Sequence, residues 1–230
     1  MKWFYVLLLG GFLALLPGLA YAQGNTSAAD VVFYRVTFTS TWSAQTHPHV
    51  SFPTSAHFSP LIGATHNLSA TFWLSGTLAS PGIEQMAETG GTTMLRSEII
   101  AAGVAVREIV AGPGLGASPG AVTIAAFSAS RSHPFVTLVT MIAPSPDWFV
   151  GVHDLSLLDD QGAWRDEIVV TLYPYDAGSD NGADYTAADV EPAIHQPIAD
   201  SRGQAPFSTA PIGTFTFTRI QRLYLPTLAR

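Results

Sequence analysis

The segment VVFYRVTFTS, residues 31–40, constrains this chain more than any other. Val32, Tyr34, Val36 and Phe38 fall on every second position, with Phe33, Arg35, Thr37 and Thr39 between them. In a strand successive side chains point to opposite faces, so this spacing predicts a strand with one apolar face. Similar Val-, Ile-, Thr- and aromatic-rich runs occur at residues 68–74 (LSATFWL), 121–130 (AVTIAAFSAS), 135–143 (FVTLVTMIA), 148–152 (WFVGV), 167–174 (EIVVTLYP) and 213–220 (GTFTFTRI). Pro, Gly or Asp punctuates their ends. Helical signal is confined to GIEQMAETGG at 82–91, stopped by Gly90 and Gly91, and to TTMLRSEIIAAG at 92–103, with a Thr cap and Gly103 at its end. Seven candidate strands and one or two short helices predict an all-β fold, a two-sheet antiparallel sandwich with the helices in a mid-chain insertion.

Composition sets the class of partner. The 230 residues suit one domain, and 47% hydrophobic content supplies a core. Only 12% are charged and the formal net charge is −7. Nucleic acid is therefore not an expected partner, because phosphate binding needs a basic surface. The first 22 residues read as an export signal. Lys2 precedes an apolar run at 6–16, then Pro17 and Gly18, then Ala20-Tyr21-Ala22 before Gln23. The run is shorter than the roughly 20 residues a membrane span needs. The expected organisation is a signal peptide at 1–22, a linker at 23–29, one domain at 30–221 and a tail at 222–230. The mature chain is expected to be secreted, with no membrane span. It contains no cysteine, so neither disulfides nor thiolate zinc sites can stabilise it.

Two loops carry the chemistry. Asp147 sits in SPDWFVGV just before a strand, and Asp176 and Asp180 flank Ala-Gly-Ser in YPYDAGSDNG just after another. Asp is a common turn residue. Three carboxylates on neighbouring loops are also the donor set of a hard cation such as calcium, which takes six to eight oxygens at irregular geometry. The spacing does not fit the twelve-residue EF-hand loop.

Other candidates are weaker. GPGLGASPG at 112–120 lacks the Lys-Ser/Thr of a phosphate loop and precedes a strand. His47 and His49 could share a transition metal, but Pro48 intervenes and no third ligand is evident, so a loop pair is expected. His66 and His133 are expected to be hydrogen-bonded structural residues. Trp42, Trp73, Trp148 and Trp164 are expected in the core or at its rim, where an exposed one could stack on sugar. Glu84, Glu88 and Glu98 read as a solvated helix face, and residues 189–211 as a meandering surface connection. Asn67-Leu68-Ser69 is a glycosylation sequon. Paired carboxylates leave a metal-assisted hydrolase, glycosidase or phosphohydrolase, as an alternative.

PSPDWFVGVHDLSL, then Trp164, then LYPYDAGSDNG closely resembles the spondin domain. YRVTFTSTWSAQTHPHVSFP, HFSPLIGATHN and GIEQMAETG with LRSEI follow the same family pattern in order, so the resemblance spans about residues 30–220. It implies a C2-like β-sandwich holding one Ca2+ in loops at one end, with Asp147, Asp176 and Asp180 as its ligands. It also implies a non-enzymatic adhesion or recognition role outside the cell, toward a protein or glycan ligand. A purely structural surface protein is the bland version of the same reading. The chain departs from the pattern at Leu157 and Leu158, where animal members carry cysteines, and thrombospondin-type repeats are not expected within its 230 residues.

Overall fold

Val31–Ser40 forms strand β1, and its alternation becomes one buried and one open face: Val32, Tyr34, Val36, Phe38 and Ser40 point inward. The computed structural model describes residues 31–220. The remaining elements in chain order are β2 (His57–Phe58), β3 (Leu61–His66), α1 (Pro81–Thr89), α2 (Thr93–Ala101), β4 (Val106–Gly112), β5 (Gly120–Ser130), β6 (Phe135–Ala143), β7 (Trp148–Ser156), β8 (Glu167–Leu172), β9 (Tyr175–Asp176), β10 (Ala199–Asp200) and β11 (Gly213–Ile220). The expected signal peptide, linker and tail lie outside the described residues.

The strands make two antiparallel sheets. The smaller runs β5-β1-β11-β8, and the larger β10-β9-β7-β6-β3-β4 with β2 also on β6. In the smaller sheet Val36 stands between Phe217 and Ile124, and Phe38 between Phe215 and Val122. These residues and Trp42 meet Leu138, Ile142 and Val150 of the larger sheet in the main core. Each such side chain contributes about 1.5–3 kcal/mol when fully buried. Strand β1 therefore lies beside β11, with Phe33 opposite Ile220 at one end and Ser40 opposite Gly213 at the other.

The larger sheet is buried on both faces at its centre. Leu138 and Ile142 of β6 face the main core, while Val139 and Met141 face a second core under α1 and α2. That is why β6 reads as a continuous apolar run rather than an alternation. Helix α1 starts at Ser80, whose Oγ accepts from Ile83 N at 3.2 Å, and stops at left-handed Gly90. No helix among the described residues is long and apolar enough to cross a membrane.

Several local expectations are corrected. Residues 68–74 are not a strand. The Asn67 side chain accepts from Ser69 N at 2.9 Å and turns the chain, while Ala70, Phe72 and Trp73 enter the second core without a ladder. The strands at LIGATH and VREIVAG, β3 and β4, were not expected. Thr92 precedes α2 but makes no side-chain cap. Glu98 is not solvated: it accepts from Ser80 Oγ at 2.7 Å and Gly82 N at 2.6 Å, tying α2 to the start of α1. The long connection before β11 is irregular apart from β10, yet Ile198 and Phe207 are buried.

Candidate metal centre between two loops

The turn from β6 to β7 is short and self-bonded. Ser145 Oγ donates to Ile142 O at 2.6 Å and accepts from Trp148 N at 3.1 Å, which leaves Asp147 pointing inward. The chain leaving β8 is zipped onto this turn. Trp148 faces Asp176 in the β7–β9 ladder, and Ala177 N donates to Asp147 O at 3.2 Å. Gly178 makes the next bend possible at φ +74°. A Cβ there would stand 2.1 Å from Gln196 O, so only glycine lets the loop close against the later segment.

This packing puts Asp176 and Asp180 near enough to Asp147 for both charges to bear on it. Asp147 is fully buried; its Oδ2 accepts from Ser179 N at 2.8 Å and Asp180 N at 3.1 Å. Its Oδ1 is buried without a hydrogen-bond donor. Asp176 accepts from Gly178 N at 2.8 Å and from Trp148 Nε1 at 3.1 Å. Asp180 accepts from Gly182 N at 2.7 Å and Val190 N at 3.2 Å. Among the described residues none of the three has a cationic partner. Burial pushes the Asp147 carboxyl up to about 7; the Asp176 charge and, less strongly, Asp180 add to this, while the Ser179 and Asp180 N–H groups oppose it.

These residues fit a hard cation in part. The donors are oxygens, and each carboxylate oxygen has two lone pairs, so one N–H bond does not exhaust it. The orphaned Asp147 Oδ1 in a net-negative pocket lacks its counter-charge. Yet among the described residues no three His, Cys, Asp or Glu side chains form a metal-holding group by themselves. Backbone carbonyls and water would have to complete a shell.

Other residues surround the pair of loops. Glu88 at the end of α1 lines a small recess with Asp180 and Asp189, and its carboxyl is raised, first by burial and then, against a bond from Ser179, by Glu84, Asp189 and Asp180. It is thus not on a solvated face. A larger recess of about 320 Å³ opens beside Asp176 and Asp180, reaching Trp148, Asn181, Gln196, Gln204 and Phe207. Neither recess was foreseen, because helix and loops meet only in three dimensions.

The remaining candidates have structural roles. His47 is buried, with Nδ1 accepting from Ser208 N at 3.1 Å, and His49 bonds Ser51, so the two do not share a ligand. His66 is buried and bonded to Thr137 Oγ1 at 2.9 Å, and His133 bonds Val104 O at 2.9 Å. Trp42, Trp73 and Trp148 are buried, and Trp164 packs on the main core. Ser51 bonds both His49 and Asp184, but its proton goes to the carboxylate, the reverse of an activated nucleophile.

Comparison with known proteins gives one consistent family. The Spondin_N family model matches residues 32–215. Spondin-2 of Homo sapiens is 34% identical over 209 residues, covering 89% of this chain and 61% of that relative. Spondin-2 of Rattus norvegicus is 31% identical over 202 residues, covering 86% and 60%. Spondin-1 of Rattus norvegicus is 32% identical over 214 residues, covering 88% of this chain but 26% of its own length. The chain thus spans about three fifths of the spondin-2 relatives and a quarter of spondin-1.

Proposed function

The chain belongs to the Spondin_N family, and from that premise we propose that it is a secreted adhesion or recognition module whose loop aspartates bind calcium. Asp147, Asp176 and Asp180 are the side-chain ligands in this reading. The observation that carries it is the buried Asp147 Oδ1, which has neither a hydrogen-bond donor nor a cation beside it. Leaving a buried carboxylate uncompensated is expensive. Calcium supplies two positive charges and tolerates a mixed shell of carboxylate, carbonyl and water oxygens. The chain's own part is to aim the β6–β7 turn and the segment after β9 at one point, with Gly178 holding the bend.

The signal-like residues 1–22 support export of the module from the cytoplasm, with a mature N-terminus expected at Gln23. N-terminal sequencing of secreted protein that recovered Met1 would reject cleavage. In this reading Asp147 holds the ion and, being fully buried, does not itself meet a substrate as base or nucleophile. The cation test is a thermal melt of the mature protein in chelator and in calcium, beside Asp147→Asn, Asp176→Asn and Asp180→Asn. Calcium is expected to raise the melting temperature of the wild type, with a weaker response in each variant and in magnesium, which demands a smaller, regular shell. A wild type indifferent to calcium, or variants that respond equally, would show these aspartates to be turn residues.

A further inference from the structure

The two sheets end in β5 and β8 and in β10 and β4, and three of these four edges are guarded. Short strands, charges and bulges are the usual guards. Strand β10 is two residues long. The edges of β4 and β5 clasp each other, with Arg107 Nε donating to Ser128 Oγ at 3.0 Å and Ser128 N to Glu108 at 2.8 Å. The register of β5 on β1 also shifts, between Tyr34 and Val36. Strand β8, EIVVTL, differs. It runs in unbroken register on β11, pairs with no other strand among the described residues, and has its only charge at its first position, Glu167. Arg219 N donates to Asp166 O at 2.8 Å. Backbone groups alternate between the two sides of a strand in an antiparallel ladder. Residues 166, 168, 170 and 172 therefore turn theirs to β11, while Glu167, Val169 and Thr171 turn N–H and C=O to the open edge. Val169 is 58% exposed, between exposed Glu167 and Thr171. Beside this edge lies a hollow of about 220 Å³, with Val170, Thr171 and Tyr173 on one side and Gly151, His153 and Leu155 on the other, so the approach is open.

We propose that β8 pairs with β8 of a second copy of this chain, antiparallel about a two-fold axis at Val169, joining the two smaller sheets into one. The register follows from the strand itself. Antiparallel partners exchange hydrogen bonds where residues that face the edge stand opposite each other. With Val169 opposite Val169, Glu167 stands opposite Thr171 and Thr171 opposite Glu167, so every open position on β8 is matched. The two exposed valines cover each other, and each Glu167 meets a hydroxyl. Centring the pair on Glu167 instead would set like charges opposite each other, which is unfavourable. An isologous contact of this kind closes on itself and stops at a dimer. One six-residue edge buries less than the roughly 1,200 Å² of a stable interface, so the pairing is reversible. Strand β8 runs toward Asp176, and in antiparallel copies that end points opposite ways. The dimer thus carries one set of aspartate loops at each end and bridges two ligands rather than gripping one twice. That consequence extends the recognition role proposed above and rests on it; the pairing itself does not.

Sedimentation velocity of the mature chain, from micromolar to millimolar protein and in both chelator and calcium, tests the pairing. A monomer–dimer equilibrium is expected, with amide exchange at Glu167, Val169 and Thr171 slowing as dimer forms. Val169→Lys and Val169→Glu should each weaken self-association at least about tenfold, since like charges then stand opposite each other. The melting temperature of the dilute protein should stay unchanged, because this side chain faces solvent. Mixed in equal amounts, the two variants should recover the dimer. Thr171→Lys, placed opposite Glu167 of the other copy, should strengthen it. A chain that stays monomeric throughout, a dimer indifferent to both Val169 variants, or a mixture that does not recover overturns the proposal. A dimer whose melt ignores calcium would remove the cation reading and leave this one standing. A monomer whose melt responds to calcium would do the opposite.

Discussion

Replacing Asp147 by Asn separates charge from shape at the most buried carboxylate of the site. Asn keeps an oxygen that can accept from Ser179 N and Asp180 N, the two bonds Asp147 makes at 2.8 and 3.1 Å. It removes a charge whose carboxyl is raised from 3.8 to about 7, chiefly by burial. Three units at 1.36 kcal/mol each amount to about 4 kcal/mol. The sign follows from linkage. Between about pH 4 and pH 7 the folded chain holds this proton while the unfolded chain has released it, so stability falls as pH rises through that window and then levels. In chelator, wild type and Asp147→Asn should have equal stability near pH 4, where both side chains are neutral. Near pH 8 the variant should be the more stable by up to about 4 kcal/mol. Calcium should narrow that gap, adding about 2.7 kcal/mol to the wild type at a hundredfold excess over its dissociation constant and little to the variant. Urea unfolding followed by tryptophan fluorescence, at both pH values with and without calcium, measures all of these. If the two proteins in chelator keep the same difference at pH 4 and pH 8, the charge of Asp147 is not felt and the reasoning fails.

Three more outcomes follow from the same packing. Burial lowers the pKa of His47 below its ordinary 6.5, and protonating Nδ1 would break its bond from Ser208 N. The stability it contributes is therefore complete above pH 6.5 and lost as pH falls through the lowered value, and an NMR titration midpoint at or above 6.5 would contradict this. Gly178→Ala combines φ +74° with a Cβ 2.1 Å from Gln196 O; it should cost about 1–3 kcal/mol and blunt the calcium response, and a wild-type melt would rule the strain out. Glu98→Ala removes the acceptor of Ser80 Oγ and Gly82 N and should destabilise by about 1.5–3 kcal/mol in chemical unfolding, where a change under 0.5 kcal/mol would return Glu98 to the solvent-facing class.

The parts of the fold legible in the sequence are those whose environment leaves a local trace. Strands β1, β6 and β11 run over the residues expected, because one-sided burial leaves alternation in β1 and two-sided burial leaves a continuous run in β6. LIGATH left no such trace. Gly63 and Ala64 have little strand preference, and the segment is a strand because it lies close against β6, where a Cβ on Gly63 would stand 1.9 Å from Thr137 O. LSATFWL left a false one: its apolar residues are buried, but the Asn67 turn decides the backbone. At the candidate site, Asp147, Asp176 and Asp180 were legible as turn residues flanking strands. Glu88 and the amides of the recess were not, since only the folded chain carries the end of α1 and residues 196–204 to the same loops.

The pairing of β1 with β11 also decides how the module answers to tension. Val31 and Ile220, the outermost described residues, lie at one end of that ladder, and Ser40 and Gly213 at the other, beside the end of β8 that leads to Asp176. Force entering through both outer residues pulls two antiparallel neighbours apart from the same side. It opens their hydrogen bonds one after another, like a zip, rather than loading the whole ladder in shear. The loops around Asp147 and Asp180 stand at the far end of that zip. A pull between Val31 and Ile220 would peel the small sheet before it reached them, so the loops would keep their shape until that sheet had opened.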